Sequence, residues 1–497
     1  MTSGRRLLAA ALPLLWALGA CRTPTPASTR RPLRIGLPRA PLGLDPHLSN
    51  EFVSFEVACN VFEGLTALDG SMAVRPALAE SWTSPDDATW HFRLRPGVRF
   101  HDGRPVQAAD VAFSLERARR HPRSEFGNYL ASVSSVKVLD TQTLEVVAEP
   151  TENLLLNKLA FVLVVPRDSP ERIEQPVGTG PYRVARIEAD GSLSLEAFEG
   201  YWGPRAAEPR VRLEVVPDHA KGLERFLAGD LDLLTELDPA AIPRVQARPG
   251  LRVVTAPSPS VDVLLMKLRE SPFADPRVRR AASLALDRAA VVAEALQGQG
   301  RPAGQLVNPR VFGYDPGLAV PRRDLAQARR LLAEAGYPRG FDVDLEFSPG
   351  QRVETLARQL SEAGIRARPV PRPWPELLHR FDAGQVLLCH SRFISDCGDA
   401  SDLLESTFHS PEPQRRFGAT NEQGYSNPEL DALIESVQRV RLRLDRLELL
   451  QRCMRLLARD LPMVPVLVRN DVWALRSELA WTPRADGRAM PYEMSRR

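Results

Sequence analysis

Lysine is nearly missing from this chain. Four of its 65 basic residues are lysine (Lys137, Lys158, Lys221 and Lys267) and the rest are arginine. The 62 acidic residues leave a net charge of +3, without the strong basic surplus that a large nucleic-acid binder carries. Nucleic acid is therefore not an expected partner, and the arginine excess reads as the background of a GC-rich genome. Cysteine is scarce too, with five in 497 residues, and aromatic residues make up 6%. A chain this long buries cores large enough to fold without a disulfide or metal staple. Long apolar runs are also missing. Leu7–Leu18 spans only twelve residues, too few for a stable membrane helix. Proline is plentiful by contrast, at 44 residues, which implies many turns and rigid connectors. Apolar residues at 43% and charged residues at 26% are those of a globular protein, and the length suggests about three structural units.

The amino terminus reads as an address. Arg5 and Arg6 precede the apolar run, and Leu18-Gly19-Ala20-Cys21 follows, the pattern of a secretory signal peptide over residues 1–20. This run resembles a bacterial lipoprotein cleavage box, which implies lipidation of Cys21. Residues 21–32 are rich in Thr, Pro, Ser and Arg and read as a flexible tether. Cleavage would remove two positive charges and leave a nearly neutral body outside the cytoplasm, held to a membrane by lipid. ATP-driven or nicotinamide chemistry is not expected there. An exported location permits disulfides, and the pairing of Cys59, Cys389, Cys397 and Cys453 stays open. Cys389 and Cys397 are near enough in sequence to bridge across a turn.

Strand and helix patterns interleave without strict βαβ regularity, which reads as α/β with mixed sheets. Leu33–Leu37 opens as a strand, and a helix covers about Phe52–Phe62. Trp90–Arg95 alternates apolar and polar residues as a half-buried strand does. A helix runs from about Gln107 to Arg119. Thr143–Ala148, Phe161–Val165, Leu193–Phe198, Val211–Val216 and Leu231–Leu234 read as strands. Asp275, Asp287, Asp324 and Asn427 stand as helix N-caps, with Gln327 as a capping-box partner of Asp324 and Pro428 at a first helical position. Met463–Val468 returns to a strand pattern. Breaks in composition fall near residues 63, 174, 263 and 465.

Catalytic motifs are absent. The sequence holds no P-loop, no G-x-S-x-G elbow and no H-E-x-x-H. The glycines at 298, 300 and 304 have the wrong spacing for a dinucleotide loop. One cluster combines thiol, imidazole and carboxylate: Cys389, His390, Asp396, Cys397, Asp399 and His409. Such donors suit soft metals, but the spacing matches no zinc framework. No metal site and no cofactor are expected.

Several stretches taken together resemble one family. They are Val61-Phe62-Glu63-Gly64-Leu65-Thr66, Pro76–Trp82, Trp90–Gly103, Ala108–Ser114, Gly178-Thr179-Gly180-Pro181-Tyr182, Tyr201-Trp202-Gly203, Asp275–Ala281, Ala328–Tyr337 and Tyr425–Asp431. In this order they are similar to the bacterial extracellular solute-binding proteins of family 5, the oligopeptide-, dipeptide- and nickel-binding receptors of ABC importers. The resemblance covers about residues 33–468. It implies a two-lobed clamp of three domains and no enzymatic activity. Domain I would comprise residues 33–62, 174–262 and 466–497, with domain II at 63–173 and domain III at 263–465. The implied ligand is an oligopeptide or dipeptide, delivered by a monomer to an ABC permease complex in the membrane. An oligosaccharide, nickel chelate, haem or opine is the alternative. Asp396 stands where peptide-binding relatives anchor the peptide's α-ammonium, with Phe393 in place of the usual Trp and Ser395 between them. Ser49 and Asn50 match a loop that lines the cleft in relatives. The glycine loop 178–182 reads as structural, a tight turn.

Overall fold

A computed structural model describes residues 30–86, 88–149, 153–395, 397–414, 417–440 and 442–497. The leader, most of the tether, Cys21 and Asp396 lie outside the described residues.

The organising element is one long strand, Met463–Arg476. At about 3.3 Å per residue it runs for roughly 45 Å, enough to serve two halves of a sheet. Its first part pairs antiparallel with Ser260–Met266. Its second part pairs antiparallel with Leu251–Pro257, from Asn470 opposite Pro257 to Arg476 opposite Leu251. Its side chains divide between apolar clusters on the two faces, and the alternation of faces breaks once in the first part, where the adjacent Val466 and Leu467 enter the same cluster. Val464 and Val466 enter one apolar cluster of the first half, and Met463 and Val468 enter another. Val472 and Ala474 enter one cluster of the second half, and Trp473 and Leu475 enter another. The register slips between Asp262 and Val263, opposite Leu467 and Pro465, so the strand is irregular where it passes between the halves.

Around this strand lies a mixed sheet of twelve strands among the described residues. One half continues through Leu233–Leu234, Leu33–Leu37, Arg210–Val215, Leu193–Ala197 and Tyr182–Ile187. The other continues through Ser260–Met266, Leu388–Ile394, Phe341–Phe347 and Ile365–Pro371. A separate antiparallel sheet orders Ala79–Thr83, Thr89–Leu94, Thr143–Ala148 and Val133–Val138. Helix Ala108–Arg120 belongs to its core, through Val111, Leu115 and Ala118. Helices Pro428–Arg439 and Arg443–Asp460 pack against each other and share an apolar cluster with strand Ser260–Met266.

The local signals hold. Asp275, Asp287, Asp324 and Asn427 each accept a backbone N–H at the start of a helix. Strand Leu33–Leu37 and helix Phe52–Val61 stand where expected. Phe161–Val165 is a correction. It is buried but not a strand. The Val164 amide donates to the Glu63 carbonyl and the Val165 amide to Ser114 Oγ, so a loop and a side chain satisfy this backbone in place of a neighbouring strand.

Candidate functional site

A concentration of buried charge lies where the long strand changes partners. Val261, Val263 and Leu265 turn one face of their strand into an apolar cluster. The alternate residue Asp262 is buried on the other face. Arg469 grips it with both nitrogens, at 3.2 and 2.6 Å. His390 Nε2 lies 3.3 Å from the same carboxylate, and its Nδ1 is 2.8 Å from Gln351 Oε1. Burial alone would push the Asp262 carboxyl up, but Arg469 and His390 hold it well below the usual range. Asp471, two residues beyond Arg469, behaves in the opposite way. Burial raises it to about 6, against a hydrogen bond from Ser258 and the charge of Arg469.

Arg392 pairs in register with Asp262. Its side chain reaches solvent, yet the surrounding protein and the like charge of Arg469 hold its guanidinium below its ordinary value. Glu236 adds a carboxylate to the field of Arg392, Arg469 and Asp471. Its φ of 50° is uncommon for a residue with a side chain. The result is a floor of alternating charges, able to take a ligand carrying both signs.

The expected site residues are distributed around this floor. Ile394 pairs with Ser260 at the end of the strand, which brings Ser395 to its edge. Ser395 is buried, and its carbonyl accepts from the Gly398 amide at 3.2 Å. Phe393 lies on the opposite strand face and packs against the apolar cluster of Val261 and Cys389. Ser49 is buried and its Oγ accepts from the Glu51 amide at 3.3 Å. The Asn50 amide donates to Glu125 at 2.6 Å, and its side chain is exposed. Phe52 and Pro259 both border Gly487, beside Asp471. The 49–52 loop and the 258–260 turn thus meet at the same end of the sheet. Among the described residues, no hydrogen bond joins Ser49 or Asn50 to residues 393–395. Asp262, Arg392, Arg469 and Asp471 were not read from the sequence. Their one signal was a lone acid inside the apolar stretch Val261–Met266.

The sequence cluster of thiols, imidazoles and acids is dispersed. Cys389 lies in an apolar core with its thiol pushed up to about 12 by burial. His390 joins Asp262. Asp399 takes a two-pronged grip from Arg446 at 2.5 and 2.9 Å. No disulfide joins any two of Cys59, Cys389, Cys397 and Cys453, so no bridge links Cys389 to Cys397.

Several of the family-like stretches hold one another. Tyr201 Oη and Trp202 Nε1 donate to the two carboxylate oxygens of Glu63, at 3.0 and 2.9 Å. His101 and Gly178 are joined through the His101 amide at 2.8 Å, and His101 Nε2 is 3.0 Å from the Gly180 carbonyl. A Cβ on Gly178 would stand 1.9 Å from the Val61 carbonyl oxygen, so the glycine loop is a point of backbone contact. A cavity of about 170 Å³ lies beside Glu63, Trp202 and Arg488. Another of about 250 Å³ lies between Val216, Leu223 and Glu236. Neither is lined by Ser49, Asn50, Phe393 or Ser395.

The family model described as bacterial extracellular solute-binding proteins, family 5 Middle, matches residues 73–414. Heme-binding protein A of Haemophilus influenzae is 26% identical over 470 residues, covering 86% of this chain and 85% of the relative. The dipeptide-binding protein of Escherichia coli is 26% identical over 411 residues, covering 74% and 77%. The ABC transporter-associated periplasmic binding protein of Helicobacter pylori, solved with the peptide STSA, superposes with a TM-score of 0.84 at 22% identity. It covers 93% of this chain and 98% of its own. The shared architecture is a two-lobed α/β fold. No described helix is long and apolar enough to cross a membrane.

Proposed function

This chain belongs to the bacterial extracellular solute-binding proteins of family 5, and on that premise we propose that it captures an oligopeptide or dipeptide between two lobes and hands it to an ABC importer. The observation that carries the ligand class is the floor at the strand crossing, where Arg392 opens to solvent among Asp262, Asp471 and Glu236. A peptide zwitterion matches that field. Arg392 would receive a ligand carboxylate, and Asp396 would anchor the α-ammonium, both through charge-assisted hydrogen bonds. Ser49, Asn50, Phe393 and Ser395 would border the site. The dipeptide-binding relative and the peptide-bound neighbour support this class.

The proposed hinge is the Met463–Arg476 strand with its partners, between a lobe of residues 33–262 and 466–497 and a lobe of residues 263–465. Within the first lobe, residues 63–173 would form a domain of their own. Ligand bound on the floor would shift the population toward the closed form, which a permease then reads. The leader and Cys21 would place the protein outside the cytoplasm as a monomeric lipoprotein.

Thermal-shift screening of the purified protein tests this function. A peptide at 100 times its dissociation constant adds about 2.7 kcal/mol of stability. Stabilisation by di- to pentapeptides supports the proposal. Stabilisation by haem, an oligosaccharide, an opine or a nickel chelate, with none by peptides, replaces it with the alternative.

A further inference from the structure

We propose that His409, Glu412 and Glu435 form a binding site for one divalent transition-metal cation, away from the floor described above and independent of the peptide reading. Their ligand atoms all lie within 4.8 Å of one another. The three come from different elements. His409 ends the π-helical turn Leu404–Phe408, its amide donating to the Leu404 carbonyl. Glu412 lies in the following hairpin, paired with Phe417. Glu435 projects from helix Pro428–Arg439. Irregular π turns of this kind recur at functional sites.

The decisive atom is His409 Nε2. The side chain is 4% exposed, and Nε2 has no hydrogen-bond partner among the described residues. Nδ1 lies 2.7 Å from the Ser410 carbonyl, which accepts only if Nδ1 carries the proton. In the neutral ring Nε2 is then a bare lone pair, and it faces Glu435 Oε1 at 3.6 Å. Two acceptors facing each other in a buried place are stabilised by a proton or a metal cation between them, while the second carboxylate oxygen of Glu435 keeps its contact with Arg439 at 3.2 Å. A zinc ion with bonds of about 2.0–2.2 Å to imidazole nitrogen and carboxylate oxygen sets its tetrahedral ligands about 3.4 Å apart. The His409–Glu435 separation already matches that spacing, and a small side-chain rotation would bring in Glu412. Each carboxylate has two oxygens, so one can bind metal while the other keeps its protein contacts. One imidazole and two carboxylates suit zinc and its first-row neighbours.

The ring is also held as metal-binding imidazoles are held, by a hydrogen bond from its other nitrogen. Phe417 stacks on it at 4.1 Å and 17°. Asn421 Nδ2 donates to the His409 carbonyl at 2.8 Å, and the Ser410 amide donates to Asp431 Oδ1 at 2.9 Å. Gly418, with a φ of 64°, lets the hairpin fold back against the His409 carbonyl, where a Cβ would stand 2.6 Å from the oxygen.

Zinc chloride titrated calorimetrically into the chelator-treated, dialysed protein tests this. One zinc per chain is expected. Glu435→Gln and Glu412→Gln, both at half-buried positions, should each weaken binding roughly tenfold or more, since even outer-shell changes cost 10–100-fold. Cobalt(II) should give visible absorption that His409→Gln abolishes. Absence of zinc binding, as expected if a proton alone fills the gap at His409, overturns the proposal. So does an affinity unchanged in the Glu412→Gln/Glu435→Gln double variant, which decides the question even if His409→Gln fails to fold.

Discussion

Asp399→Ala is expected to destabilise the protein by about 3–5 kcal/mol, the cost of stripping one partner from a buried ion pair. The pair is among the most enclosed in the molecule, with side-chain exposures of 8% for Asp399 and 10% for Arg446. Arg446 holds the two carboxylate oxygens at 2.5 and 2.9 Å, and Asp399 Oδ1 also accepts from the Ser401 amide and hydroxyl at 2.9 and 2.8 Å. Alanine would leave a guanidinium buried without its counter-ion and uncap the helix that starts at Ala400. A body of this size unfolds with an entropy of about 1 kcal/mol/K, so the thermal midpoint should fall by roughly 3–5 °C. Asp399→Ala combined with Arg446→Met should cost at least about 1 kcal/mol less than the sum of the single changes, because the second change removes the stranded charge. Asp396→Ala, three residues away, should leave the midpoint unchanged and weaken peptide binding by about 2–5 kcal/mol. Equal thermal losses for both acids, or additive costs in the double variant, would refute this division of labour.

Glu63 is pushed up to about 7 by burial, from an ordinary 4.5, against hydrogen bonds from Trp202 and Tyr201. Its folded state therefore favours the proton, so the contribution of this group to stability is full below about pH 4.5 and is lost as pH rises to about 7. Glu63→Gln cannot ionise. Its stability relative to wild type should rise by up to about 2 kcal/mol across that window, a figure reduced because water reaches this half-buried side chain; parallel urea-denaturation profiles at pH 5 and pH 8 would contradict this. Gly178→Ala should cost more than about 3 kcal/mol, whereas Gly97→Ala, with φ of 76° and open space around it, should cost about 1 kcal/mol; comparable melting curves for the two would count against the backbone contact at Val61. Arg469→Met should cost about 3 kcal/mol by leaving the buried Asp262 charge without its counter-ion, and adding Asp262→Asn should recover part of it in the same denaturation assay. Cys21→Ser should move the protein from the membrane to the soluble fraction on fractionation of expressing cells; continued membrane association would remove the lipid anchor.

Local chemistry was legible and long-range pairing was not. A cap is decided within four residues, which is why Asp287, Asp324 and Asn427 could be read from sequence and then found accepting backbone amides. Phe161–Val165 has the composition of a strand, but its hydrogen-bond partners are Glu63 and Ser114, about a hundred and about fifty residues earlier in the chain, separations that no local periodicity records. The strand from Met463 was read only to Val468 because Asn470 and Asp471 break its apolar run. Those polar residues are the part of the strand that belongs to the charged floor. Asp262, an acid in an apolar strand, belongs to it too, and a buried polar residue is more informative than an apolar one.

Sequence proximity misled where strand geometry intervenes. Cys389 and His390 are adjacent, yet alternation sends the thiol into an apolar core and the imidazole to Asp262 on the opposite face. Asp399 was drawn away by Arg446, a residue on a helix more than forty positions later. His409 stayed at the end of its turn and met two carboxylates that no spacing rule connects to it, one from a hairpin and one from a helix. A donor cluster in sequence is thus a statement about the chain, whereas a site requires that one face of one surface receive the donors together. In this protein that condition is met twice, at the strand crossing by Asp262, Arg392, Arg469 and Asp471, and at the π turn by His409, Glu412 and Glu435.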